Sequence, residues 1–514
     1  MGYRCIAATL LLLLPACDGN NNNHAGDRRA QPDNPAVEGP ISGGGGEDCC
    51  IISFGSLDID LREQGYVPGT PFYAGPDFDL AEVGYGEQEF FFSGIATSYV
   101  NAEELQSDGL WSVMTAEGAE YTSRLVVQRP LDDSAFNGTV VMEWFNVSGG
   151  IDSAPDWFQT HTELFRKGYV WVGVSAQKVG IDGGGLFDIP LKQVDPERYG
   201  GLNHPGDSFA FDIFAQAAQA VRRPVGLDPL DGLEVERVIA VGQSQSALYL
   251  TTYYNAINPL LDSFDAYLVH SRAGTSAPLS QAPQPDTPAP EVVLLREDQG
   301  EPAIIYQAET DLFSAIGYLP ARQPDSESIR LWEVAGSSHT DAYTTVKAPS
   351  DKGDDPAVAD VIATTAARPP FINCPLPVND GPSHWVAKAA IAALDSWVRD
   401  GIAAPEAQRL QVNAAQDGFD VDERGNALGG IRTPYVDAPV ATLSGLGQAF
   451  SICILFGTTE LFDEATLLNL YPTREGYIQA IDAAADAAVG EGFLLETDAV
   501  LIRSRARSTD KLPF

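Results

Sequence analysis

The stretch that decides the fold is Val238–Ala247, which reads Val-Ile-Ala-Val-Gly-Gln-Ser-Gln-Ser-Ala. Its first half is apolar and largely β-branched, which predicts a strand buried on both faces of a sheet. Residues 247–254 follow as the predicted start of a helix. A serine between a buried strand and a helix lies on a sharp turn, and the small residues Gly242 and Ser246 allow that turn to close.

Ser244 occupies the nucleophile position of a Gly-x-Ser-x-Gly turn, with Ser246 in place of the second glycine. Such a turn lifts the serine hydroxyl clear of the backbone and directs the following N–H groups toward the helix N-terminus. The alternative is a serine that caps the helix, which is a common role for serine at that position. The strand before Ser244 and the helix after it favour the nucleophile.

Short apolar strands and helical segments alternate along the rest of the chain. The predicted strands are 90–96, 124–128, 139–145, 169–174, 235–241, 266–269, 303–306 and 329–334, and the predicted helices include 157–166, 209–221 and 385–399. This alternation predicts an α/β fold with a doubly wound, mostly parallel sheet.

Polar side chains follow two of the later strands. Residues 307–311, Gln-Ala-Glu-Thr-Asp, come after one strand, and residues 335–339, Ala-Gly-Ser-Ser-His, come after the next. Ligands of open parallel sheets bind beyond the carboxyl ends of the strands. We therefore expect a serine, a carboxylate and a histidine to meet at one edge of the sheet.

These three types of side chain can together activate a serine as a nucleophile. A serine hydroxyl is a poor nucleophile until a base removes its proton, and His339 is the predicted base because imidazole titrates in a suitable range. A buried carboxylate holds the imidazole in one tautomer. Asp311 is the predicted acid, and Glu309, two residues earlier, is the alternative.

Backbone N–H groups near Ser244 are predicted to bind the negative charge that develops on an attacked carbonyl oxygen. The predicted donors lie at the helix start and in the loop after residue 145, at Gln245, Asn146, Val147 and Ser148. Three further side chains are candidates for the pocket wall: Gln243, His204 and His384. For His204 the alternative is a turn leading into a helix, and for His384 it is a helix cap.

Several of these motifs resemble those of one family. The sequence is similar to the bacterial and fungal proteins called alpha/beta hydrolase domain-containing proteins, an esterase-like group with a Gly-Gln-Ser-Gln-Ser-Ala turn. The resemblance covers roughly residues 55–510 and rests on 203–207, 242–247, 309–311, 336–339 and 382–385. It implies an α/β-hydrolase fold, in which serine, acid and histidine follow in that order. It implies no particular substrate, because this fold hosts many reactions.

The predicted function is therefore that of a serine hydrolase, and specifically of a carboxylic ester hydrolase that forms an acyl-enzyme. A small ester is the expected partner, and this chemistry needs no metal and no cofactor. The alternatives are a serine peptidase of the same fold and an inactive surface protein that only binds a ligand. The hydrolase domain is predicted to cover 51–514, with lid-like insertions at 272–302 and 342–383.

The first residues of the chain predict export. Residues 1–17 hold a positive charge, a short apolar run and Leu-Pro-Ala-Cys, which resembles the lipobox of bacterial lipoproteins. Cys17 is then the lipidated first residue of a mature cell-envelope protein, and the alternative is an ordinary signal peptide. Residues 18–50, rich in Asn, Pro and Gly, are predicted to form a disordered tether.

Charge and cysteine content narrow the choice of partners and compartment. The net charge of −40 argues against a nucleic-acid partner, because phosphates would be repelled. It gives no attraction to anionic lipid, so the lipid anchor is the only predicted membrane contact. Export permits disulfides, and Cys374 and Cys453 are the predicted pair, with two buried thiols as the alternative. The sequence predicts no oligomeric state and no role for Cys49 and Cys50.

Overall fold

The computed structural model describes residues 60–185, 189–313, 316–368, 372–449 and 451–513. Within these ranges nine strands form the main sheet: β1 (Asp60–Val67), β2 (Tyr85–Asn101), β3 (Val113–Pro130), β4 (Thr139–Trp144), β5 (Val170–Val174), β6 (Arg237–Gln243), β7 (Ala266–His270), β8 (Ala303–Ala308) and β9 (Ile329–Val334). The predicted signal peptide, Cys17 and the predicted tether lie outside the described residues.

The strands of this sheet lie in the order β1-β2-β3-β5-β4-β6-β7-β8-β9. The six strands β4 to β9 are parallel to one another. β3 pairs antiparallel with β5, and β2 pairs antiparallel with both β1 and β3. The mostly parallel, doubly wound sheet predicted from the sequence is therefore confirmed.

Thirteen α-helices lie within the described residues, and some of them cover the two faces of this sheet. They are α1 (Pro155–Lys167), α2 (Lys178–Asp182), α3 (Leu191–Val194), α4 (Pro196–Tyr199), α5 (Ala210–Arg222), α6 (Gln245–Thr252), α7 (Asn258–Leu261), α8 (Glu309–Leu312), α9 (Ser383–Asp400), α10 (Pro434–Asp437), α11 (Glu464–Leu470), α12 (Arg474–Gly490) and α13 (Glu496–Ser508). None of the helices in the described ranges combines the length and apolar character that a bilayer crossing requires.

The two faces of β6 show why this strand is apolar throughout. Val238 and Ala240 belong to the core that contains α5 and α6, whereas Ile239 and Val241 belong to the core that contains α1 and α9. Successive strand residues point to opposite faces, so a strand covered by helices on both sides must be apolar at every position.

β2 and β3 are longer than the sequence predicted. They contain 17 and 18 residues, against predicted strands at 90–96 and 124–128. Each strand pairs with the other over almost its whole length. Much of the first half of β3 is exposed. The strand pairing therefore extends into a segment that has no hydrophobic pattern from which a strand could be predicted.

The two predicted insertions differ in structure. Residues 272–302, all of them described, form no helix or strand, and Ala277, Leu279 and Val293 are buried in the same core as α5 and α6. The described part of 342–383 contains a π-helical segment, Tyr343–Lys347, and the small strand pair β10 (Ala366–Arg368) and β11 (Ile372–Asn373). A second small pair, β12 (Ala441–Ser444) and β13 (Thr458–Leu461), lies in the C-terminal region.

A disulfide joins these two regions of the chain. Cys374 follows β11, and Cys453 lies in a 3₁₀ turn, Ile452–Leu455. The two residues are bonded, with their Cα atoms 5.6 Å apart. The predicted pairing of Cys374 with Cys453 is confirmed, and the bridge ties the second predicted insertion to the C-terminal segment before β13.

Candidate active site

Ser244 lies on a strained turn between β6 and α6. Its backbone has φ 62° and ψ −117°, a conformation that a residue with a side chain rarely adopts. A Cβ atom added to Gly242 would lie 3.0 Å from Leu250 Cδ1 and 3.1 Å from Ser246 Cβ. A larger residue at position 242 would therefore require its neighbours in the turn to shift by a few tenths of an ångström. The Ser244 N–H donates to the His270 carbonyl, 2.8 Å away, which fixes the turn to β7.

His339 and Asp311 form a buried hydrogen-bonded pair. His339 Nδ1 lies 2.5 Å from Asp311 Oδ1, and both side chains are fully buried. The second carboxylate oxygen of Asp311 accepts from the Ala308 N–H and from Ser271 Oγ, each at 2.7 Å. Among the described residues, His339 Nε2 has no hydrogen-bond partner. One ring nitrogen is thus held by the acid, and the other remains available.

Glu309, the alternative acid, has different partners. Its two carboxylate oxygens accept from the backbone N–H groups of Gly336, at 2.6 Å, and Gly445, at 2.8 Å. Burial raises the pKa of this carboxyl to about 7. The side chain therefore joins the loop that carries His339 to the C-terminal segment, and the geometry favours Asp311 as the partner of the imidazole.

The loop after β4 supplies fewer free N–H groups than the sequence suggested. The Asn146 N–H donates to the Ser153 carbonyl at 2.9 Å, and the Ser148 N–H donates to Asn146 Oδ1 at 3.0 Å. The Val147 N–H makes only a long contact, 3.4 Å, with Gln245 Oε1. Of the three predicted loop donors, Asn146 and Ser148 are engaged elsewhere, which leaves Val147.

Val147 and Gln245 lie on the two sides of the Ser244 turn. Gln245 is the first residue of α6, so its N–H has no intrahelical carbonyl to donate to. Asn146 Nδ2 donates to the Gln243 carbonyl at 3.0 Å and holds the loop against the end of β6. These contacts bring the backbone of Val147 next to the start of the helix.

The three predicted pocket residues all make internal contacts. Gln243 Nε2 donates to the His339 carbonyl at 3.0 Å. Both ring nitrogens of His204 are used, by the Ala176 carbonyl and the Gly206 N–H. His384 stacks on Tyr343 with ring centroids 3.5 Å apart.

All three side chains are buried and present almost no surface to a ligand in this conformation. The pocket interpretation needs correction for His204, because its contacts match the alternative of a turn leading into a helix. For Gln243 the structure shows a contact that supports the His339 loop. His384 belongs to an aromatic stack, and burial lowers the pKa of its imidazole, which keeps the ring neutral.

Sequence reasoning missed Ser271 and His270. Ser271 donates to Asp311, and His270 Nδ1 lies 2.7 Å from Asp156 Oδ1 in a second, fully buried histidine–carboxylate pair. Burial lowers the pKa of His270 to about 3 and raises the pKa of Asp156. Both missed residues stand at the carboxyl end of β7, so the strand-end rule that selected Asp311 and His339 could have found them.

Together the parallel sheet, the strained serine turn and the buried acid–histidine pair define a protein of the α/β-hydrolase class. A family model described as "Alpha/beta hydrolase domain" matches residues 37–504. The chain therefore belongs to the alpha/beta hydrolase domain family, as the sequence motifs indicated. A comparison with curated proteins gives no match.

Solved structures that resemble this chain are distant. The rice cell wall degrading esterase LipA from Xanthomonas oryzae is 10% identical, with 41% of this chain and 50% of that chain covered and a TM-score of 0.23. Acetyl xylan esterase 1 from Thermoanaerobacterium sp. is 14% identical, with 42% and 53% covered and a TM-score of 0.22.

Brefeldin A esterase, described as a bacterial homologue of human hormone sensitive lipase, is 18% identical, with 34% of this chain and 39% of that chain covered and a TM-score of 0.19. The match thus spans about half the length, or less, of each of these three structures.

Proposed function

We propose that the protein is a serine hydrolase that cleaves carboxylic esters through an acyl-enzyme on Ser244. The observation that carries this proposal is the buried His339–Asp311 pair, which lies at the same edge of the sheet as the strained Ser244 turn. A strained residue in a tight turn persists only where the surrounding packing holds it, and such residues cluster at active sites.

The reaction follows from the two nitrogens of His339. With Nδ1 held by Asp311, Nε2 accepts the proton of Ser244 Oγ while that oxygen attacks the ester carbonyl carbon. The same proton passes to the departing alkoxide as the carbon–oxygen bond breaks, leaving an acyl group on Ser244. Water then attacks the acyl group, with His339 again as the base, and releases the acid.

The Gln245 and Val147 N–H groups are the proposed donors to the carbonyl oxygen during attack. In this structure Gln245 Oε1 is the acceptor near the Val147 N–H, at a weak 3.4 Å. A substrate carbonyl oxygen would replace that side-chain contact. Loss of one such donor typically costs ~2.7–4 kcal/mol of transition-state stabilisation.

Labelling and hydrolysis together test the nucleophile. Wild type should react with a fluorophosphonate probe and hydrolyse p-nitrophenyl acetate. Ser244→Ala should abolish labelling and lower kcat by roughly a thousandfold or more, because the attacking oxygen is gone. The matched control is Ser246→Ala, which removes a buried hydroxyl with no hydrogen-bond partner among the described residues.

Three outcomes would contradict the proposal. Undiminished labelling of Ser244→Ala would place the nucleophile elsewhere. A wild type that neither labels nor hydrolyses esters would leave a binding protein as the interpretation. Cleavage of peptides in preference to esters would make it a peptidase.

We also propose that the protein is exported and held in the cell envelope by a lipid on Cys17. This proposal rests on the sequence alone, on the short apolar run and the Leu-Pro-Ala-Cys motif of residues 14–17. The disulfide between Cys374 and Cys453 supports it, because disulfides persist in oxidising compartments outside the cytoplasm.

A further inference from the structure

An apolar cluster surrounds the disulfide and shares no buried residue with the two main cores. Its buried members include the bonded Cys374 and Cys453 together with Ala273, Ile316 and Ala342. We refer to this group, with the apolar residues that pack on it, as the disulfide cluster. A ligand that contacts these side chains must be apolar at the point of contact.

The segments that follow Ser244, Ser271, His339 and Asp311 each contribute a residue to the disulfide cluster. Leu248 lies one helical turn after Ser244, Ala273 follows Ser271 by two residues, and Ala342 follows His339 by three. Ile316 comes after the α8 turn that carries Asp311. The cluster is therefore placed at the carboxyl edge of the sheet, next to the proposed nucleophile, base and acid.

Backbone contacts fasten the C-terminal part of the cluster to the catalytic loops. The Thr340 N–H donates to the Leu455 carbonyl at 3.0 Å, directly after His339. A Cβ atom added to Gly457 would lie 3.0 Å from Ser338 Cβ, and one added to Gly445 would lie 2.5 Å from Glu309 Cβ. The backbone at Gly445 and Gly457 therefore packs directly against the loops that carry Asp311 and His339.

Four members of the disulfide cluster keep part of their apolar surface uncovered. These half-buried residues are Leu248, Ile362, Ile452 and Ile454. Two of them flank Cys453, so the bridge fixes their position relative to the catalytic edge. Partly exposed aliphatic side chains beside a serine turn offer a surface to the acyl chain of a substrate.

We propose that the disulfide cluster is the acyl-binding wall of the site, and that the substrate class is esters of aliphatic acids. This inference rests on the proposed ester hydrolysis and adds the identity of the acyl group. The Cys374–Cys453 bridge acts as a positioning element that holds the wall in place. Burial of each methylene is worth about a fourfold gain in binding.

The test is a series of p-nitrophenyl esters from acetyl to octanoyl. With wild type, kcat/KM should rise roughly threefold to fourfold for each added methylene until the wall is covered. Ile454→Asp should lower the octanoyl-to-acetyl ratio of kcat/KM at least tenfold. The matched control is Ile402→Asp, at an apolar position that is 62% exposed and outside the cluster.

The bridge is tested by mild reduction of wild type and by the double variant Cys374→Ser/Cys453→Ser. Either should reduce the octanoyl-to-acetyl ratio of kcat/KM about tenfold while fluorophosphonate labelling persists. If the double variant does not fold, reduction of wild type still tests the bridge. The comparison of Ile454→Asp with Ile402→Asp still tests the wall, because neither variant changes a cysteine.

Failure of this inference is distinguishable from failure of the proposed function. If wild type labels and cleaves the acetyl ester but its rates are flat or fall with chain length, the acyl wall is overturned and ester hydrolysis stands. An equal loss for acetyl and octanoyl esters in Ile454→Asp also overturns it. If no ester is cleaved and no label is taken up, both proposals fail.

Discussion

At the scale of single residues, the candidate site depends on a few hydrogen bonds that have no substitute nearby. Asp311 receives N–H and O–H groups from Ala308 and Ser271 on one oxygen and holds His339 with the other. A carboxylate so placed has one orientation available. The imidazole that it holds is consequently fixed as well, which is the requirement for a base that must meet a serine hydroxyl in one direction.

The two acids of α8 should respond differently to neutralisation. Asp311→Asn is expected to lower kcat by about 10⁴-fold with the fold intact, because an amide favours the wrong tautomer of His339. Glu309→Gln should change kcat less than tenfold. It should instead reduce the free energy of unfolding by ~1–3 kcal/mol, because a Gln side chain offers one oxygen to the two N–H groups of Gly336 and Gly445.

Turnover of p-nitrophenyl acetate and urea unfolding of the two variants provide the measurement. A crippled Glu309→Gln enzyme of normal stability, beside a nearly active Asp311→Asn enzyme, would show that the acid has been assigned two residues too late.

Asp341 should make the free energy of unfolding depend on pH. Burial raises the pKa of this carboxyl to about 6, with Asp380 adding to the rise and Lys347 opposing it. Its Oδ1 accepts from the Thr344 N–H and hydroxyl, at 2.8 and 2.7 Å, while Oδ2 has no partner among the described residues. An asparagine could keep both Oδ1 contacts.

The sign of the effect follows from the raised pKa. The stabilisation associated with the protonated folded form is fully present below the unfolded pKa, about 3.9, and is lost as the pH rises through about 6. The asparagine of Asp341→Asn does not titrate, so the variant lacks this loss. Between pH 4 and 7 the free energy of unfolding of the variant, relative to that of wild type, should therefore rise by up to about 3 kcal/mol. Denaturant titrations at pH 4.5 and 7.5, with exposed Asp286→Asn as the control, measure this gain. A constant difference between Asp341→Asn and wild type across that range would contradict the raised pKa.

At the scale of elements, the strands and turns place the reacting groups, and the disulfide holds the elements that cover them. β6, β8 and β9 each end at the same edge of the sheet, which is why residues far apart in the chain come together there. β10 and β11 are too short to be stable alone. Their position depends on the bridge and on the contacts of the disulfide cluster.

Removing the bridge should cost measurable stability. It closes a loop of 79 residues, for which the chain-entropy model gives a contribution on the order of 4 kcal/mol. The double variant Cys374→Ser/Cys453→Ser should therefore unfold at lower urea concentration than oxidised wild type. Wild type in reductant should unfold at the same urea concentration as the double variant. Identical midpoints for the oxidised wild type and the double variant would refute a stabilising role.

At the scale of the whole molecule, the chain carries a net charge of −40. Such a charge opposes the approach of other negatively charged surfaces, including anionic membranes. The proposal that a covalent lipid on Cys17 attaches the protein to a membrane does not rely on charge attraction.

Cys17→Ser should release the protein from membranes or stall its processing. A lipidated cysteine that carries more than one chain gives a stable anchor, whereas a single acyl chain gives only marginal binding. Fractionation of cells that express the two forms, followed by mass spectrometry of the mature N-terminus, provides the measurement. Cys5→Ser, in the segment predicted to be removed, is the matched control. An unchanged Cys17→Ser protein in the membrane fraction would count against the anchor.

The sequence by itself determined the class of the fold and the order of the reacting residues. Apolar runs of β-branched residues identify buried strands whatever their partners, because burial on both faces demands apolar side chains at every position. The polar residues that interrupt those runs then mark the carboxyl edge. Ser244, His339 and the segment 309–311 could be selected in this way, whereas the pairing of Cys374 with Cys453 was a prediction that left two buried thiols as the alternative.

Only the tertiary structure decided which atoms meet. Glu309 and Asp311 have the same chemistry and lie on the same turn, yet one contacts Gly336 and Gly445 while the other contacts His339. Likewise one N–H of the loop after β4 stays weakly bonded while its neighbours are taken. Hydrogen bonds depend on direction and on fractions of an ångström. Their geometry is set by contacts between segments distant in the chain, and a local sequence pattern contains no information about those contacts.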